Sequence, residues 1–222
     1  MIIIDTETTG TQPWKHQIIQ IAAYDVDTRD EFHRKLFFDE SNADVDALKI
    51  NRYNVETWRN EAVTQEEGRE SFLNFVRHHA PTEMTSKAGK PYMVAKACAY
   101  NARFDKDFIA RWMWDNVAKK RAFCPLHPLW FDPLQICLAL FPNLPDHKLS
   151  TVCKHLGIDG TGAHDAMTDV LMVANLMYRI EPAMIVARDW CAANLAAVTP
   201  VPVHAPDPQK IETENIDNEI PF

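Results

Sequence analysis

The sequence predicts an α/β domain, because strand patterns open the chain and helical patterns follow them. Residues 2–5 form a short apolar run and residues 18–26 form a second one, with turn-forming residues between them. Two apolar runs separated by a turn predict an opening β-hairpin. Apolar residues then recur at helical spacing over 64–79 and 163–179, which predicts two amphipathic helices.

The remaining elements are predicted from the same patterns in chain order. The first long helix begins at a capping box, since Glu67 follows Thr64 by three residues. Residues 41–58 are polar and irregular, and residues 81–91 have the composition of a mobile loop. Further strands are predicted at 31–38 and 92–100, and further helices at 106–120, 133–140, 150–156 and 182–195.

Composition narrows the class of protein. The chain has 222 residues, of which 46% are hydrophobic and 24% charged, as in an ordinary soluble globular protein. The first apolar run ends at Asp5, and no run of about 18 apolar residues occurs, so neither a signal peptide nor a membrane span is expected. The five cysteines form no CxxC pair, which is typical of reduced thiols. We therefore expect a cytoplasmic protein with no membrane partner.

The C-terminal segment differs from the rest of the chain. Residues 199–222 contain five of the 14 prolines, no glycine and a single aromatic residue. Such a segment cannot bury enough apolar surface to offset its ordering entropy. We predict one folded domain at 1–198 and a disordered, proline-rich acidic tail at 199–222.

The formal net charge of -8 argues against a nucleic-acid partner only if the acids are spread evenly. Residues 205–222 hold five acids and one lysine, so they carry -4 and the rest of the chain carries the other -4. A net charge of -4 on residues 1–204 is therefore compatible with a locally basic face.

Acidic residues recur at the ends of predicted elements. Asp5 and Glu7 lie two apart at the end of the first strand, so their side chains project from the same face and repel unless a cation neutralises them. Asp105 begins a helix after a strand, and His164 and Asp169 lie at the head of the long helix.

These residues fall in three motifs: DTETTG at 5–10, YNARFD at 100–105 and HDAMTD at 164–169. In this order and spacing they resemble the three motifs of the DEDDh (DnaQ-like) 3′–5′ exonuclease family, over roughly residues 1–180. The resemblance implies a ribonuclease H-like α/β fold, a mixed β-sheet flanked by α-helices. Relatives commonly carry glutamate where this chain has Gln20, which leaves the substrate subgroup open.

The resemblance also implies the chemistry of the site. Asp5, Glu7, Asp105 and Asp169 are the implied ligands of two Mg²⁺ or Mn²⁺ ions, which suit hard oxygen donors. His164 is the implied general base that takes the proton from the attacking water. The implied reaction is hydrolysis of phosphodiester bonds at DNA 3′ ends, with release of mononucleotides.

Four further residues are predicted to contact the substrate. By resemblance, Thr8 and Thr9 approach the terminal 3′ nucleotide, and Asn101 lies in the second motif. Trp14 follows on the same loop as the threonines, where it either stacks on a base or belongs to the core.

The last residues carry a second resemblance. Ile220, Pro221 and Phe222 end the chain, and they resemble the acidic C-terminal peptide of bacterial single-stranded DNA-binding proteins. This predicts docking on proteins that recognise that peptide in replication or repair, or occupation of the chain's own substrate groove.

Two alternative functions stay open. The first is a 3′–5′ exoribonuclease of the same family. The second is a non-catalytic DNA-maintenance adaptor that acts through its tail.

Overall fold

The computed structural model of the chain describes residues 1–115 and 120–194. These residues form eight strands and seven α-helices: β1 (Ile2–Thr8), β2 (Ile18–Asp25), β3 (Glu31–Lys35), α1 (Val45–Ile50), α2 (Val55–Glu61), α3 (Gln65–His78), β4 (Thr82–Thr85), β5 (Pro91–Val94), β6 (Ala97–Cys98), α4 (Ala102–Trp112), β7 (Trp114–Asp115), β8 (Lys120–Arg121), α5 (Pro133–Leu140), α6 (Leu149–His155) and α7 (Ala166–Asn194).

A mixed four-stranded sheet forms the centre of the fold, in the order β3-β2-β1-β6. The predicted opening hairpin is confirmed, since β1 pairs antiparallel with β2. Strand β3 also pairs antiparallel with β2, whereas β6 runs parallel to β1 and pairs with it only at Ile2 and Ile3. The edge of β1 beyond Ile3 is therefore open to other partners.

Helices cover both faces of this sheet, which is why three consecutive isoleucines can all be buried. Ile2 and Ile4 pack in one cluster with Phe72 of α3 and Phe108 of α4. Ile3, on the opposite face, packs in a second cluster with residues of α7 such as Val170. The predicted mixed sheet flanked by helices is thus the observed architecture.

The helix predicted at 64–79 is α3, and its capping box forms. The backbone N–H of Thr64 donates to the Glu67 carboxylate at 2.9 Å, and the N–H of Glu67 donates to the Thr64 hydroxyl at 3.2 Å. These bonds satisfy donors that the first helical turn leaves without partners.

Two segments predicted to be irregular are regular. Residues 41–58 contain α1 and the start of α2, which are capped by the side chains of Asp44 and Asn54. Residues 81–91 contain β4 and the start of β5, which pair as a hairpin with Gly89 at φ +75° in its turn. These elements are stabilised by backbone pairing and by side-chain caps. Neither kind of interaction requires a hydrophobic periodicity, so the sequence pattern did not indicate them.

Several helix boundaries differ from the prediction. The helix predicted at 106–120 ends at Trp112, because strand β7 follows at Trp114. Helix α4 begins at Ala102 rather than near 106, because the Asp132 carboxylate accepts the N–H groups of Asn101 and Ala102 at 3.0 and 3.1 Å. The helices predicted at 163–179 and 182–195 are a single helix, α7, with Pro182 inside it. Proline removes one helical N–H donor and its ring crowds the carbonyl four residues earlier, but the helix continues beyond Pro182.

By its internal contacts the chain divides into two units, Met1–Glu181 and the residues from Pro182 onward. Helix α7 has the length and mean hydropathy, 1.4, of a membrane-spanning helix. Val170, Val173 and Leu176 of α7 are buried in the first unit, and 28% of the most apolar window of the helix is buried. The predicted tail and the predicted boundary at 198 lie outside the described residues.

Candidate active site

The predicted acidic residues converge from three elements. Asp5 and Glu7 lie on β1, on the face that carries Ile3 and packs against α7. Asp105 lies in the first turn of α4 and Asp169 in the first turn of α7. Burial, followed by the charges of Asp105, Glu7 and Asp169, raises the pKa of Asp5, so all four side chains share one electrostatic environment.

The predicted base lies beside two of the predicted ligands. The ligating atoms of Glu7, His164 and Asp169 all lie within 4.8 Å of one another. His164 is exposed, and its backbone adopts φ +66°. Its backbone N–H is 3.4 Å from the Asp169 carboxylate. The third motif therefore turns sharply before α7 and presents an imidazole at the edge of the acidic cluster.

Asp105 reaches the cluster along the open edge of β1. The backbone N–H of Thr6 and its hydroxyl both donate to one carboxylate oxygen of Asp105, at 2.9 and 2.7 Å. Strand β6 pairs with β1 only at Ile2 and Ile3. The Asp105 carboxylate therefore accepts the backbone N–H of Thr6 that a neighbouring strand would otherwise accept. Thr6 is a residue that the sequence analysis missed, since it lies between Asp5 and Glu7 but points to the other face.

Burial and mutual repulsion disfavour ionisation of the four acids. Burial, followed by the charges of Asp169 and Asp105, raises the pKa of Glu7 to about 8. Burial raises the pKa of Asp105 to about 7 against the opposing bonds from Thr6. Burial also raises the pKa of Asp169. Such a cluster holds either protons or cations at neutral pH.

The donor set fits divalent cations. Carboxylate oxygens are the ligands that Mg²⁺ and Mn²⁺ prefer. Oδ1 of Asp169 is buried without a hydrogen-bond partner among the described residues. A buried, unpaired carboxylate oxygen is costly unless a cation completes its environment.

A second polar network fixes the turn that carries His164. The buried amide of Gln20 donates to Oδ2 of Asp165 at 2.7 Å and lies 2.6 Å from Nε2 of His33. The other oxygen of Asp165 accepts the N–H of Thr168 at 3.2 Å, which caps the first turn of α7. The sequence indicated this network only through Gln20, which stands where relatives commonly carry glutamate. It did not indicate that Gln20 contacts Asp165 and His33.

The predicted substrate contacts lie at different depths. Thr8 and Thr9 are buried, and their hydroxyls bond within the loop, to the Gly10 carbonyl at 2.7 Å and from the Gln17 N–H at 2.9 Å. Asn101 is exposed. Trp14 is 76% exposed, so it does not belong to the core.

Gly10 has φ +153°, and a Cβ there would lie 2.4 Å from the His16 ring. Glycine is therefore required for the loop to fold back on itself.

A cavity of about 380 Å³ borders this loop. It is lined by aromatic and basic side chains together with residues of the loop itself, including Thr9, Trp14, Lys15, His16, Arg69, Arg111, Trp112 and Trp114. Aromatic faces and cations together are typical of surfaces that bind single-stranded nucleic acids.

Comparison with known families decides the class of the site. The family described as Exonuclease matches residues 2–86 and 92–177. The chain belongs to this exonuclease family. All three motifs lie inside the matched residues, which confirms the resemblance to the DnaQ-like exonucleases.

Relatives of this exonuclease domain are larger proteins. The DNA polymerase III PolC-type of Bacillus cereus is 25% identical over 182 residues, which cover 81% of this chain and 11% of the polymerase. A structure of exonuclease I has a TM-score of 0.64 at 20% identity and matches 90% of this chain and 46% of its own.

The zinc-bound complex of Escherichia coli exonuclease I with single-stranded DNA has a TM-score of 0.61 at 19% identity, over 90% of this chain and 45% of that one. This exonuclease domain thus spans just under half of the exonuclease I chains. Its ribonuclease H-like α/β fold is confirmed.

The docking residues Ile220, Pro221 and Phe222 lie outside the described residues. Their resemblance to the tail of single-stranded DNA-binding proteins stays a prediction.

Proposed function

We propose that this exonuclease domain removes mononucleotides from the 3′ ends of single-stranded DNA. The observation that carries the proposal is the approach of Glu7, His164 and Asp169 to within 4.8 Å, beside two further carboxylates with raised pKa values. A base next to a cation-binding cluster is the arrangement that phosphodiester hydrolysis needs. The exonuclease I complex with single-stranded DNA supports the choice of substrate.

Each side chain has one part in the proposed mechanism. Asp5, Glu7, Asp105 and Asp169 would hold two Mg²⁺ or Mn²⁺ ions, which would supply charge neutralisation and activation of water. The exposed imidazole of His164 accepts the proton of the attacking water. Gln20 and Asp165 orient the turn that carries this imidazole.

The proposed substrate contacts surround the loop after β1. The backbone of the loop at Thr8 and Thr9 approaches the terminal nucleotide, and Asn101 faces it from the start of α4. The exposed Trp14 stacks on a base of the unpaired strand, which then enters the aromatic and basic cavity. A Trp14→Ala variant should raise KM for single-stranded DNA, whereas Trp190→Ala, an exposed tryptophan of the second unit, should not.

The test of the proposal uses 5′-labelled DNA and RNA oligonucleotides with Mg²⁺ or EDTA. Removal from the 3′ end shortens the labelled strand stepwise, whereas removal from the 5′ end releases labelled mononucleotide at once. His164→Ala and Asp5→Ala should abolish hydrolysis, and His78→Ala serves as the control. Degradation of RNA alone would support the exoribonuclease, and no hydrolysis of either strand would support the adaptor.

We further propose that the tail docks on proteins that bind the C-terminal peptide of single-stranded DNA-binding proteins. The support is the sequence Ile220-Pro221-Phe222, which follows the acids Asp217 and Glu219 and offers an apolar ring to a pocket rimmed by basic residues. A peptide of residues 212–222 should bind such proteins, and the same peptide without Phe222 should not. Equal weak binding by both peptides would refute the proposal.

A further inference from the structure

Arg52 has an unusual backbone conformation on the turn between α1 and α2. Its φ is +51°, in the left-handed region that costs a non-glycine residue about 1 kcal/mol or more. Four described non-glycine residues have positive φ, and two of them, Asn101 and His164, belong to the motifs of the site. Backbone strain of this kind clusters at functional sites.

The turn is fastened to the loop that follows β1. The side-chain amide of Asn51, which is buried, donates to the carbonyl of Thr8 at 2.8 Å. The N–H of Asp44, at the start of α1, donates to the carbonyl of Thr9 at 2.7 Å. Both ends of α1 are thus held against residues directly after Glu7, so the position of Arg52 relative to the acidic cluster is fixed.

The Arg52 side chain is exposed and makes no hydrogen bond or ion pair with another described residue. Its backbone nevertheless lies near the site, because the adjoining Asn51 bonds the carbonyl of Thr8, which directly follows Glu7. A guanidinium whose backbone is anchored beside this loop, and which has no hydrogen-bond or ion-pair partner among the described residues, is available to an anion that enters the site.

We propose that Arg52 binds a backbone phosphate of the nucleic acid next to the scissile bond. The inference rests on the proposed function and adds a phosphate-binding residue outside the three motifs. A guanidinium can donate two parallel hydrogen bonds to the oxygens of one phosphate.

The chain offers a matched control in Arg29. This residue is also an exposed arginine with positive φ, +66°, and it lies on the turn between β2 and β3. Arg52→Gly and Arg29→Gly each remove one positive charge and relieve one strained backbone. A difference in DNA affinity between the two variants therefore reflects the position of the arginine, rather than the loss of a charge or the relief of backbone strain.

The experiment measures binding of fluorescent dT and dA oligonucleotides in EDTA, and again with Ca²⁺, over a range of KCl concentrations. Arg52→Gly should bind about 10-fold more weakly, equally for both sequences, and the slope of log Kd against log salt should fall by about 0.7. Arg29→Gly should bind like the parent. Both variants should have a melting temperature no lower than that of the parent, since glycine favours this conformation.

Arg52→Lys and Arg52→Asn complete the design. Lysine should restore part of the affinity and the full salt slope, because it keeps the charge but not the paired hydrogen bonds. Asparagine tolerates the left-handed region and replaces the glycine variant if that variant does not fold. An unchanged Kd in Arg52→Gly, or a weaker Kd with an unchanged salt slope, would overturn the inference. If the parent protein binds no oligonucleotide, the proposed function itself fails.

Discussion

The hydroxyl and the backbone N–H of Thr6 converge on a single carboxylate oxygen of Asp105, at 2.7 and 2.9 Å. These bonds hold the carboxylate of α4 against the edge of β1, on which Asp5 and Glu7 lie. They favour the ionised form, and so they oppose the burial that raises the pKa of Asp105 to about 7. Thr6 therefore keeps Asp105 close to the charge state that binds a cation.

Replacement of Thr6 by valine should weaken cation binding. Thr6→Val removes the hydroxyl bond but keeps a similar shape, and a hydrogen bond to a charged group contributes about 1.5–3 kcal/mol. The pKa of Asp105 should rise further, so that cations must displace a proton. We expect the Mg²⁺ concentration for half-maximal nuclease activity to rise about 10-fold or more. Thr6→Ser keeps the hydroxyl and should resemble the parent; an unchanged Mg²⁺ requirement in Thr6→Val would contradict this role.

The metal-free protein should lose stability as the pH rises. The folded-state pKa of Glu7 is raised to about 8, above the ordinary value of about 4.3. The stability that this group contributes is thus present below about pH 4 and is lost as the pH rises through about 8. In EDTA at pH 9, Glu7→Gln should be more stable than the parent by on the order of 5 kcal/mol, or about 10–20 °C in Tm.

The same measurement at pH 5 should give a much smaller difference between Glu7→Gln and the parent. Mg²⁺ should stabilise the parent at pH 9 more than it stabilises the variant, because the variant lacks one ligand. Glu66→Gln, an exposed position in α3, is the control and should show neither effect. A parent protein whose Tm in EDTA does not fall between pH 5 and pH 9 would argue against the acidic cluster.

Gln20 should matter for both stability and rate. Gln20→Leu leaves the Asp165 carboxylate without its donor in a partly buried position, which costs about 1–3 kcal/mol. Because Asp165 adjoins His164 and caps α7, kcat should fall more than KM rises. Chemical denaturation and steady-state kinetics test the two parts separately, with the exposed Gln135→Leu of α5 as the control. A variant with lower stability but parental kcat would show that the network stabilises the fold only.

A second group of titrating residues, an ion pair between His79 and Asp30, also loses stability as the pH rises. Nε2 of His79 lies 2.8 Å from the Asp30 carboxylate, and Nδ1 lies 2.8 Å from the Phe75 carbonyl. Burial lowers the pKa of His79, but these hydrogen bonds outweigh it and hold the pKa above its ordinary value. The hydrogen bond from His79 lowers the pKa of Asp30. The contribution of His79 is present below about pH 6.5 and is lost at higher pH, and that of Asp30 is present above about pH 4.

The parent should therefore exceed His79→Gln in Tm most clearly near pH 5.5, and the difference should shrink by pH 8.5. His78→Gln removes the neighbouring exposed histidine and should follow the parent across this range. A constant difference between the parent and His79→Gln would mean that packing, rather than charge, accounts for the stabilisation.

Local patterns predicted much of the fold. The apolar runs of β1 and β2, the capping box of α3 and the proline-led α5 were all found because each depends on residues close together in sequence. The hairpin β4–β5 and the early start of α4 were missed. Their stability comes from backbone pairing and from the distant carboxylate of Asp132, neither of which leaves a local pattern.

The sequence by itself determined the chemical identity of the candidate site: three motifs, four acids and one histidine, since their types and spacing follow from what catalysis needs. Only the tertiary structure decided which side chains support them. Thr6 meets Asp105 across 99 positions and Gln20 meets Asp165 across 145, and packing of helices on a sheet sets such contacts. Arg52 was likewise identified as a candidate phosphate-binding residue only from its backbone angle and from the hydrogen bonds that anchor its turn. Hydrogen-bond partners and strain depend on the folded geometry, whereas ligand types depend on the residues alone.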